Sequence, residues 1–170
     1  IRQDAMTKLD PERMLMNFQR AEDIVKNNEG ITLEEEMDGI DVKRIRTIPL
    51  PDNSSYLEKL DHLFDPALLF LKSLLESGDL VFIYSPPLPL GIFATLLGKL
   101  KRIPTVVNIQ DLFPQEAVDL GLINSPLLIK SLEVVEKLVY KGADYLTVHS
   151  TGNKEHVVKK GADSERVEVL

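Results

Sequence analysis

The feature that most constrains the fold is a regular alternation of short apolar runs and helical patterns from residue 80 to the last residue. The apolar runs, which predict strands, lie at 80–85, 105–109, 145–149 and 166–170. The helical patterns between them lie at 90–102, 125–142 and 152–161. Strands that are apolar along their whole length and separated by helices are typical of a parallel sheet covered on both faces. The sequence therefore predicts an α/β fold of the Rossmann-like, doubly wound type.

The ends of the predicted helices carry capping signals. Ser125 is expected at the N-cap of the helix at 125–142, with Pro126 as its first residue. Gly142 and Gly161 are expected at left-handed C-cap positions.

The residues ahead of the alternation have a less regular pattern. The elements predicted there are a helix at 10–28, an acidic loop up to Gly39, a strand at 40–51 and a helix at 56–77 that is interrupted at Asp65-Pro66. We therefore divide the chain into a helical and loop segment at 1–33, whose role is open, and a Rossmann-like domain at 34–170.

Composition argues against several classes of protein. The formal net charge of −7 argues against nucleic-acid binding, because neutralising phosphates needs a basic surface. There is no cysteine, and the three histidines are far apart in sequence, so no metal site is predicted. Dinucleotide, P-loop and nucleophile-elbow motifs are also absent. The most apolar window, 88–100, is shorter than the roughly 20 residues that span a bilayer, which predicts a soluble protein.

Ligands of doubly wound sheets bind beyond the carboxyl ends of the strands, so polar residues at strand exits are candidate site residues. The first exit, "YSPPLPLG" at 84–91, contains Ser85 and a proline-rich turn before the next helix. The amides at that helix N-terminus attract phosphate or carboxylate groups. The alternative is a rigid connection from strand to helix that binds nothing.

The second exit, "NIQDLFPQE" at 108–116, places Gln110 and Asp111 directly after an apolar strand. If Pro114 is the first residue of a helix, the N-cap is Phe113, and Asp111 is not needed for capping. A carboxylate at the mouth of a parallel sheet can hold a substrate hydroxyl or act as a general base. The alternative is an Asx-type turn in which Asp111 bonds to nearby amides.

The third exit, "TVHSTGNKEH" at 147–156, contains two adjacent hydroxyl side chains. We expect Thr151 to cap the following helix, with Glu155 completing the capping pattern, and Ser150 stays open as a ligand contact. His149 is expected to be a hydrogen-bonded structural residue rather than a catalytic residue.

Three basic residues, Lys99, Lys101 and Arg102, cluster at the end of the helix at 90–102. Cations at this position offset the helix dipole. The alternative is that they face an anionic membrane surface or a lipid-linked diphosphate acceptor.

Three stretches of the chain together resemble a known family. They are "DLVFIYSPPLPLGIFATLLGKLKRIPTVVNIQDLFPQEAVDLGLI", "LEVVEKLVYKGADYLTVHSTGNKEHVVKKGA" and "ERVEVL". They are similar to the N-terminal Rossmann-like domain of a GT-B glycosyltransferase, above all to family-4 enzymes that build O-antigen, colanic acid or other exopolysaccharides. The S-P-P strand exit, the Q-D-L-[WF]-P turn and the "GAD…TVHS" strand carry the resemblance, which covers about residues 34–170.

The resemblance implies a retaining, metal-independent transferase that moves a sugar from a nucleotide sugar to a saccharide acceptor, often a lipid-linked one. The N-terminal domain shapes the acceptor side, and a C-terminal domain holds the donor. On this basis Asp111 is the expected catalytic residue, and Ser85, Gln110 and Ser150 are expected to bind the acceptor. No cofactor is expected besides the nucleotide-sugar donor. The expected location is the cytoplasm, at the inner face of the membrane.

Two departures from the family pattern shape what we expect of this chain. Residues 1–33 do not match the strand and glycine-rich loop with which the family opens, and the chain ends where an interdomain linker would follow. The expected partner is therefore a separate C-terminal donor domain, without which the chain should be inactive. The alternatives are a non-catalytic α/β binding or regulatory module that pairs with a catalytic domain, and a doubly wound enzyme of different chemistry.

Overall fold

The computed structural model describes residues 34–37, 40–43, 65–85 and 87–170. The described elements, in chain order, are strands β1 (Glu34–Met37) and β2 (Ile40–Lys43), helix α1 (65–73), β3 (Val81–Ser85), α2 (Leu88–Lys101), β4 (Thr105–Ile109), α3 (Gln115–Asp119), α4 (Pro126–Gly142), β5 (Tyr145–Val148), α5 (Thr151–Lys159) and β6 (Val167–Val169). A 3₁₀ turn at Ser164–Arg166 precedes the last strand. The four predicted strands of the alternation are all present, each within one or two residues of its expected bounds.

Strands β3 to β6 form one sheet in the order β3-β4-β5-β6, and all three neighbouring pairs are parallel. Every residue of β4 is buried, as expected for a strand covered on both faces. This confirms the predicted α/β fold with a Rossmann-like parallel sheet.

The core lies between the sheet and the helices that follow β4 and β5. Val107 and Ile109 of β4, together with Leu146 of β5, belong to one cluster with Val139 of α4 and Val157 of α5. Side chains alternate between the two faces of a strand. Odd-numbered β4 residues therefore face these helices, and Asn108 lies on the opposite face.

The helix ends differ from the prediction in two places. Ser125 is at the N-cap of α4 as predicted, although its side chain makes no capping bond. Gly161 has φ 112°, which confirms a left-handed residue after α5. The prediction for Gly142 was wrong, because this glycine is the last helical residue of α4 and Ala143 is the C-cap. A Cβ atom at position 142 would lie 3.3 Å from Thr95 of α2, so glycine here allows close approach of the two helices.

A hairpin occupies part of the predicted acidic loop, which corrects that prediction. Strands β1 and β2 are antiparallel, with Glu34 opposite Lys43. Lys43 also pairs with Glu76 at 2.7 Å, just beyond α1, and Lys72 of α1 lies 3.9 Å from Glu34. Three successive glutamates conceal this strand in the sequence, because acidic residues are depleted in strands.

Several predictions fall on other parts of the chain. The segment at 1–33, with its predicted helix at 10–28, lies outside the described residues, and so do 44–51 of the predicted strand and 56–64 of the predicted helix. In the described part of the chain, none of the helices has the length and hydrophobicity of a transmembrane span.

Candidate functional site

All four candidate residues lie at or just beyond the ends of adjacent strands. In the sheet register Ser85 is opposite Ile109, and Ile109 is opposite Val148, so β3, β4 and β5 end at the same edge. The backbone amide of Gln110 donates to the carbonyl oxygen of Ser85 at 3.0 Å. The structure thus brings Ser85 next to Gln110, and it places Asp111 and Ser150 each two residues beyond the end of its strand.

Ser85 has the least surface available to a ligand. Its exposure is 3%, whereas Gln110 is partly buried and Asp111 and Ser150 are exposed. The proline turn that follows leads directly into α2, whose N-cap is Pro87 with extended backbone and no side-chain capping bond.

Gln110 is the outermost member of a chain of side-chain hydrogen bonds. Its Nε2 donates to Oδ1 of Asn108, and Nδ2 of Asn108 donates to Oγ1 of Thr147 at 2.8 Å. Asn108 and Thr147 are opposite each other in β4 and β5, and both are buried. Sequence reasoning missed this pair. The available signal was a carboxamide inside an otherwise apolar strand, two residues before Gln110.

Asp111 is exposed, and within the part of the chain that the structure describes its carboxylate makes no hydrogen bond or ion pair. The Asx-turn alternative therefore finds no support among those residues. The local helix prediction was wrong in its detail, since α3 begins at Gln115 and Pro114 is the N-cap. The backbone amide of Glu116 instead donates to the carbonyl oxygen of Leu112 at 3.0 Å. The conclusion that Asp111 is not needed to cap the helix still holds.

Ser150 is the N-cap of α5, which corrects the prediction that Thr151 has this role. The Ser150 backbone is extended, and its Oγ accepts a hydrogen bond from the backbone amide of Asn153 at 3.0 Å. Its hydroxyl proton is not used by that bond, since a hydroxyl both donates and accepts. His149 is exposed and lies after the end of β5, and no side-chain hydrogen bond of His149 occurs among the described residues.

The basic residues at the end of α2 lie far from these strand exits. Helix α2 has 14 residues, so its two ends are about 20 Å apart. Nζ of Lys101 donates to the carbonyl oxygen of Glu76, near the hairpin. The prolines at the start of α2 and the cations at its end therefore do not form one surface beside the candidate site.

A second polar cluster, also missed from sequence, lies between α4 and α5. Glu136 is fully buried, and its Oε1 accepts a hydrogen bond from the Tyr140 hydroxyl at 3.1 Å. Its Oε2 lies 3.3 Å from Nζ of Lys160, and Oε1 lies 3.5 Å from Nε2 of His156. Lys160 also bonds to Glu133 at 2.8 Å. These groups join two helices rather than line the strand ends.

A small cavity of about 170 Å³ opens at the other end of β5. Its lining residues are Tyr140, Lys141, Ala143, Leu146, Gly161, Asp163 and Arg166. Small-molecule sites usually measure about 300–1,000 Å³, so this cavity is too small for a sugar donor or acceptor. No group of acidic or histidine residues suited to a metal ion occurs in the described parts of the chain.

Residues 24–170 match the glycosyl transferase 4-like domain family. The chain belongs to this family. The match confirms the predicted N-terminal domain of a GT-B glycosyltransferase, and the four-stranded parallel sheet agrees with it. Among curated proteins, none matches the chain. In this glycosyl transferase 4-like domain, Gln110 and Asp111 are the accessible polar residues at the exit of the fully buried strand.

Proposed function

We propose that the chain is the acceptor-side domain of a retaining hexosyltransferase that acts in cell-surface polysaccharide synthesis of the O-antigen, colanic-acid or exopolysaccharide type. The observation that carries this proposal is the position of Asp111. In a chain of the glycosyl transferase 4-like family, it is an exposed carboxylate at the exit of a buried strand and has no partner among the described residues. A carboxylate that the local fold does not use is available for an acceptor hydroxyl.

Asp111 accepts a hydrogen bond from the acceptor hydroxyl and takes its proton as the oxygen attacks the sugar. The new bond joins the acceptor oxygen to the anomeric carbon on the face that the diphosphate leaves, so the configuration of that carbon is retained. The bond that breaks joins that carbon to the diphosphate oxygen, which leaves with the electron pair. Gln110 and Ser150 bind neighbouring hydroxyls of the acceptor. The buried Ser85 supports the edge of the sheet at which these residues lie.

The nucleotide sugar is bound by a second domain in this proposal. The chain is therefore inactive alone and does not bind the donor. Calorimetry of residues 1–170 with UDP- and GDP-sugars should show no binding, and micromolar affinity for either sugar would contradict the assignment to the acceptor side.

A lipid-linked acceptor and a location at the inner membrane face are supported by exposed apolar side chains that follow Asp111 along the chain. Leu120 and Leu122 follow α3, and Leu127 and Leu128 are in the first turn of α4. All four side chains are exposed. Because the chain leaves β4 at the carboxyl end of the strand and then enters α4, the start of α4 is at the same edge of the sheet as Asp111. Such a cluster can contact the lipid chain of an acceptor.

The test is Asp111→Asn in the protein that contains both domains, assayed with nucleotide sugar and acceptor extract. General-base assistance contributes roughly 10²–10⁴-fold, so turnover should fall by about that factor. Asp119→Asn is the matched control, because Asp119 is a nearby carboxylate on α3 whose partner is Gln115 at 2.7 Å. Near-normal turnover of Asp111→Asn would exclude its catalytic role and favour the non-catalytic binding module.

A further inference from the structure

Asn108 is a fully buried carboxamide in the centre of the parallel sheet. Its neighbours in β4, Val107 and Ile109, are apolar and belong to the main core cluster. Burying a carboxamide is unfavourable unless its donor and acceptor are both satisfied. An apolar side chain at this position would fill a buried strand without that requirement, so the presence of asparagine calls for a reason beyond packing.

The two ends of the Asn108 carboxamide have different partners. Nδ2 donates to Oγ1 of Thr147 at 2.8 Å, on the adjacent strand and in direct register. Oδ1 accepts from Nε2 of Gln110, two residues further along the chain. Thr147 thus fixes the orientation of Asn108, and Asn108 offers its oxygen to Gln110.

Resting on the proposed function, we propose that Asn108 is a positioning residue that turns the Gln110 carboxamide so that Oε1 faces the strand ends. The amide nitrogen of Gln110 is directed to Asn108, and the carbonyl oxygen of a planar carboxamide points away from its nitrogen. Gln110 then presents Oε1 as a hydrogen-bond acceptor, next in the sequence to the Asp111 carboxylate, which accepts hydrogen bonds and has no donor.

This arrangement narrows the class of group that the site binds. Two adjacent acceptors recognise a ligand that offers two hydrogen-bond donors, which the neighbouring hydroxyls of a sugar ring supply. A phosphate or diphosphate offers acceptors and carries negative charge, so Asp111 repels it, and the Oε1 atom that Gln110 presents gives it no donor. The saccharide part of the acceptor, rather than the diphosphate of a lipid carrier, therefore lies over Gln110 and Asp111.

Hydrogen exchange of the Gln110 side-chain amide, measured by NMR on ¹⁵N-glutamine-labelled chain, tests the orientation. Gln115 is the internal reference, because its Nε2 bonds to Asp119 at the exposed surface of α3. We expect the Gln110 amide to exchange at least about tenfold more slowly than that of Gln115. Equal rates would mean that the amide faces solvent, and this would overturn the proposal.

Variants show whether Asn108 protects the Gln110 side-chain amide from exchange. Asn108→Leu should abolish it, and Thr147→Val should reduce it, whereas Thr147→Ser keeps the hydroxyl and should restore the wild-type rate. The two Thr147 variants decide the matter whether or not Asn108→Leu folds. If the Gln110 amide exchanges at the same rate in Thr147→Val and Thr147→Ser, the proposal that Thr147 and Asn108 orient Gln110 is overturned.

Titration of the same samples separates this inference from the proposed function. The probes are methyl α-D-mannopyranoside, methyl β-D-galactopyranoside and inorganic pyrophosphate. We expect at least one glycoside to shift the Gln110 signal in wild type and Thr147→Ser, and pyrophosphate to leave it unchanged. A shift with pyrophosphate alone would overturn the acceptor-only site. Slow exchange without a response to any probe would leave the orientation proven and count against the proposed saccharide site.

Discussion

Two buried polar networks in the described residues differ in charge and in place. The network between α4 and α5 is ionic and centres on Glu136, which contacts Tyr140 and Lys160. The network in the sheet is neutral and runs from Thr147 through Asn108 to Gln110 at the strand exit. We infer separate roles from this difference: charge joins two helices inside the fold, and neutral groups orient the Gln110 side chain at the strand exit.

Tyr140 and Lys160 of the ionic network keep their protons over a wide pH range. Burial, followed by the neighbouring Glu136 carboxylate, raises the pKa of Tyr140 far above its usual value, so the phenol remains a donor. Burial lowers the pKa of Lys160, but its bonds to Glu133 and Glu136 outweigh that effect and the net pKa is raised. Lys160 is thus a cation wherever the protein is folded under ordinary conditions.

The largest expected effect on stability is that of Glu136→Gln. The substitution keeps the shape of the side chain but removes the charge that faces Lys160 and the strong acceptor of the Tyr140 hydroxyl. Breaking a buried ion pair costs roughly 3–5 kcal/mol, and we expect about 3 kcal/mol because Lys160 keeps Glu133. Urea unfolding of both proteins measures the difference. A loss below about 1 kcal/mol is typical of an exposed ion pair and would mean that solvent reaches Glu136. The two networks would then differ in their position in the fold but not in the burial of a charge.

The neutral network should contribute less, which Thr147→Val measures. Valine has the same shape but leaves the buried Nδ2 of Asn108 without an acceptor, at a cost of roughly 1–3 kcal/mol in unfolding free energy. Thr95→Val is the control, because the Thr95 hydroxyl donates to the Ile92 carbonyl of its own helix at 2.8 Å and its removal leaves no buried donor unpaired. Equal losses in the two variants would show that the sheet network does not depend on Thr147.

Features that depend on local pattern could be predicted from the sequence, whereas the two networks could not. The strands at 105–109 and 145–148 were predictable because apolar runs report burial directly, and the position of Gln110 and Asp111 followed from the rule that parallel strands end at one edge. Those inferences use only local pattern and topology.

The two networks were not predictable, because each joins residues far apart in the chain. The residues around Glu136 in the sequence do not indicate that its carboxylate contacts His156 of α5 and Lys160 at the end of that helix. The same holds for Gly142, where an added Cβ atom would lie 3.3 Å from Thr95 of α2, a residue distant in the sequence. At Ser150 and Thr151 two adjacent hydroxyls fit one cap, and only the backbone geometry decides between them.

A smaller and pH-dependent effect is expected from Glu133→Gln, at the exposed side of the ionic network. The hydrogen bond from Lys160 lowers the pKa of Glu133 from its usual value of 4.5. A depressed carboxyl pKa contributes stability above pH 4.5 that is lost as the pH falls through the folded pKa. The wild type should therefore exceed Glu133→Gln in unfolding free energy at pH 7, and the difference should shrink below pH 4.5. A difference that grows on acidification would contradict this assignment. Urea unfolding at pH 7 and below pH 4.5 measures it.

The smallest expected effect on stability is that of Asp111→Asn, and it separates the site from both networks. The Asp111 carboxylate is exposed and has no hydrogen bond or ion pair among the described residues, so asparagine at this position should change the unfolding free energy by less than about 0.5 kcal/mol. The same substitution should lower turnover by roughly 10²–10⁴-fold in the two-domain protein, because the proposed role is to accept the proton of the acceptor hydroxyl. Glu136→Gln should behave in the opposite way, with a large loss of stability and little change in turnover at a temperature where the variant is folded. If Asp111→Asn instead costs several kcal/mol, its carboxylate belongs to the fold, as an Asx turn would require, and the neutral network then ends at a structural residue rather than beside a catalytic one.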